Sequence, residues 1–211
     1  MAIMCLHTAA SNITVFDTAA RDLGVSTNKI SHLVMPHLLE AAEKTGGMTS
    51  DQRADLNCFL QSLTPFFDAI LITCSTLGPV ADSFDGSRHH CPVYRTDKML
   101  AEALKRRQGK SVVLYAAEST LNATISLFCS GESLEHHPDI IFVPEAWRAF
   151  KAGNQALYIS LITDAVQHAY SNGAENVALA QVSMTPAVQH FSKLEKPMTS
   201  PHLALRLCFD L

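Results

Sequence analysis

Short apolar runs alternate with helical patterns from one end of the chain to the other. That alternation restricts the fold more than any other feature. Strand, helix and strand in succession build a parallel sheet covered by helices. The apolar runs are "AIMCLH" (2–7), "KISHLV" (29–34), "DAILITC" (68–74), "CPVYRT" (91–96), "SVVLYAA" (111–117), "DIIFVP" (139–144) and "NVALAQ" (176–181). "DAILITC" is apolar nearly throughout, the pattern of a strand buried on both faces. Helical patterns fall between them. One spans 11–24, opened by Ser11 and stopped by Gly24. Another spans 49–63, opened by Thr49 or Ser50. Others cover 97–109, 119–131 and 154–173, one starts at Thr185, and a short one lies near 201–209. The segments 34–49 and 131–139 read as loops, with "GGM" (46–48) a candidate hinge. The best internal seam lies near 92–110.

The chain has 211 residues, enough for one large domain or two small lobes with a real core. Hydrophobic residues make up 47% and charged residues 17%, an ordinary globular balance. The net charge of -4 argues against a broad nucleic-acid surface, which needs a basic excess. The six cysteines are scattered, with no CxxC pair. The N-terminus lacks a signal-peptide pattern, and no apolar run approaches the ~20 residues of a membrane span. The expectation is a cytoplasmic protein with reduced thiols, without membrane or nucleic-acid partners.

A faint internal repeat is present. Without gaps, "ILITCSTLGPVA" (70–81) aligns with "VALAQVSMTPAV" (177–188), which sets Cys74 on Gln181, Thr76 on Ser183 and Pro79 on Pro186. Each copy is an apolar strand, a turn and a new helix.

In an open parallel sheet, ligands bind beyond the carboxyl ends of the strands. Helix N-termini gather there and attract anions. The strand ends here carry small polar residues. His7, Thr8, Ser11 and Asn12 follow the first strand, and Cys74, Ser75 and Thr76 the third. Glu118, Ser119 and Thr120 follow the strand ending near Ala117, and Gln181 and Ser183 the last. Several hydroxyl, amide and N–H groups suited to a carboxylate are thus gathered at strand ends. Cys74 stands where a helix begins, a place that lowers a thiol pKa and favours the thiolate. Such a thiol can act as acid, base or nucleophile. It can equally be a small buried hydrophobe.

Other motifs carry less. "RHHC" (88–91) and "HH" (136–137) lack partnered metal-ligand spacing, so no metal is expected. "GKS" (109–111) precedes a strand, and Leu104 stands where a phosphate loop needs Gly. No GxGxxG follows a strand. Cys58, Cys91 and Cys129 read as structural.

With "TCST" closing an apolar strand, a matching strand-turn later, and hydroxyl-bearing turns after two further strands, the chain resembles the aspartate/glutamate racemase superfamily. That group also includes hydantoin racemases, maleate isomerases and arylmalonate decarboxylases. The resemblance implies an α/β fold of two similar parallel-sheet lobes with helices on both faces, a pseudo-twofold and an active site in the cleft. It divides the chain into lobes 1–95 and 96–200, with a C-terminal helix, 201–211, returning to the first. It implies no cofactor, a small carboxylate ligand and a homo-oligomer. Cys74 matches the first racemase cysteine. Thr8, Ser11, Asn12, Ser75, Thr76, Ser119 and Thr120 match the polar turns that hold substrate, with Gln181 and Ser183 as further donors.

The departure lies in the second cysteine. Racemases place one thiol on each face of the substrate carbon. Here the racemase pattern counts to Val182 and the internal repeat to Gln181, and neither moves a proton near neutral pH. One thiol leaves decarboxylation or one-base isomerization of a small carboxylate as the leading expectation, with Cys74 as acid/base. Two alternatives stand beside it: a thiol hydrolase with Cys74 as nucleophile and His7 as base, and a carboxylate-binding protein without chemistry.

Overall fold

Five consecutive buried residues, Ile3–His7, form β1, which is apolar on one face and carries Cys5 and His7 on the other. Burial on both faces requires helices on both sides. The computed structural model describes residues 1–85, 90–131, 137–192 and 195–211. Arg88, His89 and His136, part of the paired-histidine motifs, lie outside the described residues.

The chain divides into two units. The first comprises Met1–Met99 and Pro201–Leu211, the second Leu100–Ser200. In the first, β1 lies between β2 (Ile30–Val34) and β3 (Ala69–Ile72), with β4 (Val93–Arg95) beyond β3. All pairs are parallel, and the register sets Cys5 beside His32 and Leu6 beside Ile72. In the second unit, β5 (Ser111–Tyr115) lies between β6 (Asp139–Phe142) and β7 (Asn176–Leu179), again parallel. β1, β2 and β3 therefore correspond to β5, β6 and β7. This is the two-sheet α/β architecture that the strand–helix alternation and the resemblance imply.

The helices follow local rules, with informative exceptions. α1 is Ser11–Asp22. Its N-cap is Ala10, so Ser11 is the first helical residue and not the cap. Gly24 (φ 70°) ends it, and the Val25 N–H closes back on Ala20 O at 2.9 Å. α2 (Pro36–Lys44) occupies the segment expected to be a loop. Pro36 starts it, as proline does where a helix has no N–H to lose. α3 (Ser50–Leu63) opens with a full capping box, in which Thr49 and Gln52 exchange side-chain and backbone hydrogen bonds. Four-residue α4 (Pro79–Asp82) follows β3, and α5 (Thr96–Lys105) carries the division between the units. α6 (Leu121–Phe128) and α7 (Ala146–Lys151) belong to the second unit. α8 (Gln155–Ser171) buries Tyr158, Ile162, Val166 and Ala169 along one face. The stretch after β7, Val182–His190, is 3-10 helix that begins before Thr185, the expected start. α9 (Ser200–Phe209) buries Ala204, Leu205 and Cys208, and its His202 meets Asp22 of α1 at 3.0 Å.

The first unit packs Met4, Leu6, Ile70 and Ile72 against Leu56 and Leu60 of α3. The second packs Val112, Leu114, Val177 and Leu179 against the buried face of α8. No helix among the described residues is long and apolar enough to cross a membrane.

Candidate active site

β3 ends at Ile72, and Thr73 and Cys74 continue the chain past the sheet. The Thr73 N–H donates to Leu6 O at 3.0 Å, the last rung between β1 and β3. The Cys74 carbonyl then accepts from the N–H groups of Leu77 (3.1 Å) and Gly78 (2.8 Å). Cys74 is thus the cap residue of a single helical turn. Its thiol takes the place of a capping oxygen and receives the Thr76 and Leu77 N–H groups, with the Thr8 hydroxyl beside it.

Two effects compete on this thiol. Desolvation raises its pKa, although the residue keeps some exposed surface. The Thr8 hydroxyl and the Leu77 and Thr76 N–H groups pull it down. Desolvation wins, and the pKa lies above the ordinary thiol value of 9.0. The sequence-based expectation of a depressed pKa is therefore corrected. A single turn supplies two N–H groups but no long helix, and burial outweighs them.

The turn is held from below by a buried ion network. Arg95, at the end of β4, donates through Nε and Nη2 to both oxygens of Asp97 (2.8 and 3.0 Å) and through Nη1 to Asp82 (2.8 Å). Burial opposes the Arg95 charge, but the two carboxylates outweigh it and raise its pKa. A Cβ on Gly78 would stand 2.8 Å from Arg95 Nε, so only glycine lets the turn sit on this guanidinium. The network joins side chains of α4, β4 and α5. Its one local signal is "YRTD" (94–97), an Arg and an Asp two residues apart just past a strand.

The other predicted residues of the first unit lie at the same strand ends. Thr8 and Asn12 are buried, Ser11 is exposed, and Ser75 and Thr76 are buried in the Cys74 turn. Asn12 Oδ1 and Thr76 Oγ1 are buried without a protein hydrogen-bond partner. Thr76 Oγ1 comes near enough to the thiol to lower its pKa slightly, but makes no hydrogen bond of normal geometry. His7 is fully buried and uses both ring nitrogens, Nδ1 with Thr73 Oγ1 (2.8 Å) and Nε2 with His32 Nδ1 (2.9 Å). Desolvation, and then His32, lower its pKa to about 3.

The second unit repeats this backbone. The Ala180 N–H donates to Leu114 O (2.9 Å) as Thr73 does to Leu6, and Met184 N–H donates to Gln181 O (3.0 Å) as Leu77 does to Cys74. Gln181 is therefore the counterpart of Cys74, in line with the internal repeat and not with the count to Val182. Its Oε1 accepts from the N–H groups of Ala116 (2.7 Å) and Ala117 (3.1 Å). Ser183 Oγ is hydrogen-bonded to the hydroxyl of buried Tyr158 at 2.8 Å. Desolvation pushes the Tyr158 pKa well up, so it stays a neutral phenol. Thr120 donates to Ala117 O (2.7 Å), while Ser119 Oγ is buried without a partner.

No family model matches the chain, and no curated protein sequence matches it. Solved structures do. Glutamate racemase isoform RacE1 from Bacillus anthracis is 14% identical with a TM-score of 0.65, over 100% of this chain and 81% of that one. An aspartate racemase from Picrophilus torridus is 13% identical with a TM-score of 0.65, over 94% and 87%. An arylmalonate decarboxylase is 12% identical with a TM-score of 0.52, over 100% and 92%. At these identities the likeness speaks to the fold: the chain has the fold of the aspartate/glutamate racemase superfamily.

Proposed function

We propose that the protein is a cofactor-independent isomerase or lyase acting on a small carboxylate, with Cys74 as its single acid/base thiol. The observation that carries this reading is the Cys74 turn: a thiol that desolvation keeps protonated, ringed by groups that can receive a thiolate. A protonated thiol is a proton donor. In a decarboxylation, the C–C bond to one carboxylate breaks, carbon dioxide leaves, and its electron pair forms an enediolate. The Sγ–H bond of Cys74 then breaks as a C–H bond forms. The thiolate is held by the Thr76 and Leu77 N–H groups and the Thr8 hydroxyl until water returns the proton. A one-base isomerization uses the same thiol first as base and then as acid. The raised pKa makes that direction harder, which favours the lyase.

Ser11, Asn12, Ser75 and Thr76 are proposed to bind the carboxylate at the first unit's strand ends. The orphaned Asn12 and Thr76 atoms support this, because a buried polar atom without a partner costs about 1–3 kcal/mol that a ligand can recover. In the second unit, Ser119, Thr120, Gln181 and Ser183 are proposed for carboxylate binding at the equivalent strand ends, with the orphaned Ser119 hydroxyl as support. The hydrolase reading has less support, because both His7 nitrogens are engaged and leave no base for Cys74.

The test is a screen of substituted malonates and small 2-substituted acids in D2O. Carbon dioxide release and deuterium at the reacting carbon are the readouts. The expected result is turnover that falls at least ~100-fold in Cys74→Ser. Turnover that survives this substitution, or carboxylate binding without any product, rejects the chemistry.

A further inference from the structure

Cys5 and His7 alternate along β1 and so face the same side of the sheet. His32 of β2 stands directly beside Cys5 in the register. One ligand atom from each of these three side chains lies within 4.8 Å of the others, and Cys5 and His7 are fully buried. They are buried next to α1, whose Phe16 ring lies 5.5 Å from the His7 ring and whose Asp17 reaches His32.

The hydrogen bonds around the two rings fix which nitrogens carry protons. The Thr73 hydroxyl donates to Leu6 O (2.9 Å), so Thr73 Oγ1 accepts from His7 Nδ1–H (2.8 Å). A neutral His7 then turns the lone pair of Nε2 toward His32. On the other ring, the Asp17 carboxylate accepts from His32 Nε2–H (3.2 Å), which in a neutral His32 leaves the lone pair on Nδ1. These two lone pairs face each other across 2.9 Å, with the Cys5 thiol beside them. Such a contact needs a cation between the rings. A proton shared between Nε2 and Nδ1 is one such cation. A metal ion meets the same need through three donors.

We propose that Cys5, His7 and His32 form a buried three-residue zinc site in the first unit, with a water in the fourth position. Zinc takes His nitrogens at ~2.0–2.1 Å and a thiolate at ~2.3 Å in a tetrahedron, which sets two His nitrogens roughly 3.3 Å apart. The observed 2.9 Å has to open by only a few tenths of an ångström. The outer groups are those that metal-bound histidines use: a carboxylate, Asp17, on one ring and a hydroxyl, Thr73, on the other. Binding breaks the Cys5 S–H bond, forms the Zn–S bond and releases the proton to solvent. The ion ties β1, β2 and, through Asp17, α1 together. It sits one residue from Thr8 and one from Cys74, along the chain at His7 and through Thr73, and braces the thiol turn from inside the lobe. Sequence spacing hides the set, because His7 and His32 are separated by a helix.

Tag-free full-length protein, stripped with a chelator and titrated with Co2+ and with Zn2+, tests this. The expected result is one ion per chain, and with Co2+ a thiolate charge-transfer band that Cys5→Ala abolishes and Cys74→Ala keeps. Asp17→Asn removes an outer partner and should weaken binding ~10–100-fold, and His32→Gln removes a ligand and should weaken it more. These two variants serve if Cys5→Ala does not fold. Less than a tenth of an ion per chain, a band that survives Cys5→Ala, a band lost with Cys74→Ala, or unchanged affinity in both Asp17→Asn and His32→Gln overturns the site.

Discussion

Gln181 holds in the second unit the backbone position that Cys74 holds in the first. Each follows the last rung between a central strand and its neighbour, and each carbonyl starts the next helical turn. The side chains have different tasks. Cys74 presents a thiol to two N–H groups of its own turn, whereas Gln181 uses its amide oxygen to close the N–H groups of Ala116 and Ala117.

Gln181→Ala should therefore destabilise the protein. It strands two buried N–H groups, each worth about 1–3 kcal/mol. For a chain of this size each kcal/mol lowers the melting temperature by about 2–4 °C, so the fall should be at least about 4 °C. Gln181→Glu keeps an acceptor oxygen in place and should lose less. Differential scanning calorimetry of the two variants checks the order, and equal stabilities would remove the capping role.

Arg95→Met should cost about 3–5 kcal/mol, because it leaves the buried Asp97 carboxylate unpaired. Adding Asp97→Leu should recover much of the loss, since the desolvated charge is then gone. Urea unfolding of the single and double variants measures the recovery. A double variant no better than the single one would show that the pair holds the turn by shape and not by charge.

Thr76→Val separates binding from folding. The Thr76 hydroxyl is buried without a partner, so its removal should leave stability unchanged or raise it by ~1 kcal/mol. Carboxylate affinity or turnover should fall about tenfold. Loss of stability without loss of binding would mean the hydroxyl serves the fold.

The Cys74 thiol has a defined alkaline signature. Its folded pKa is raised above the ordinary 9.0, so its stabilising contribution is complete below pH 9.0. That contribution is lost as pH rises through the folded value. Cys74→Ala should flatten the alkaline arm of the stability curve. Alkylation followed by peptide mapping should modify exposed Cys58 first, and Cys74 fully only above pH 9.0. Preferential labelling of Cys74 near neutral pH would mean a thiolate and would favour a nucleophile over an acid.

Much of this arrangement is local and can be read from the chain. The apolar strands, the Thr49–Gln52 capping box and the Gly24 stop depend on residues two to six apart, as do the hydroxyl-bearing turns. The pairing of Cys74 with Gln181 is legible too, because the two copies keep one spacing from strand to turn. Pro36 signals helix α2, but the helix spans only nine residues and fully buries only Ala42, so its apolar face is too short to stand out from a loop.

What tertiary structure decided involves residues that the sequence separates. Strand register sets His32 beside Cys5, and burial sets the ionisation of both His7 and Cys74. The grip of Arg95 on Asp82 and Asp97 depends on β4 pairing with β3. The sequence alone determined which groups stand at the strand ends. Whether those groups are charged, partnered or left open depends on how much water long-range packing removes around them, and no local spacing encodes that.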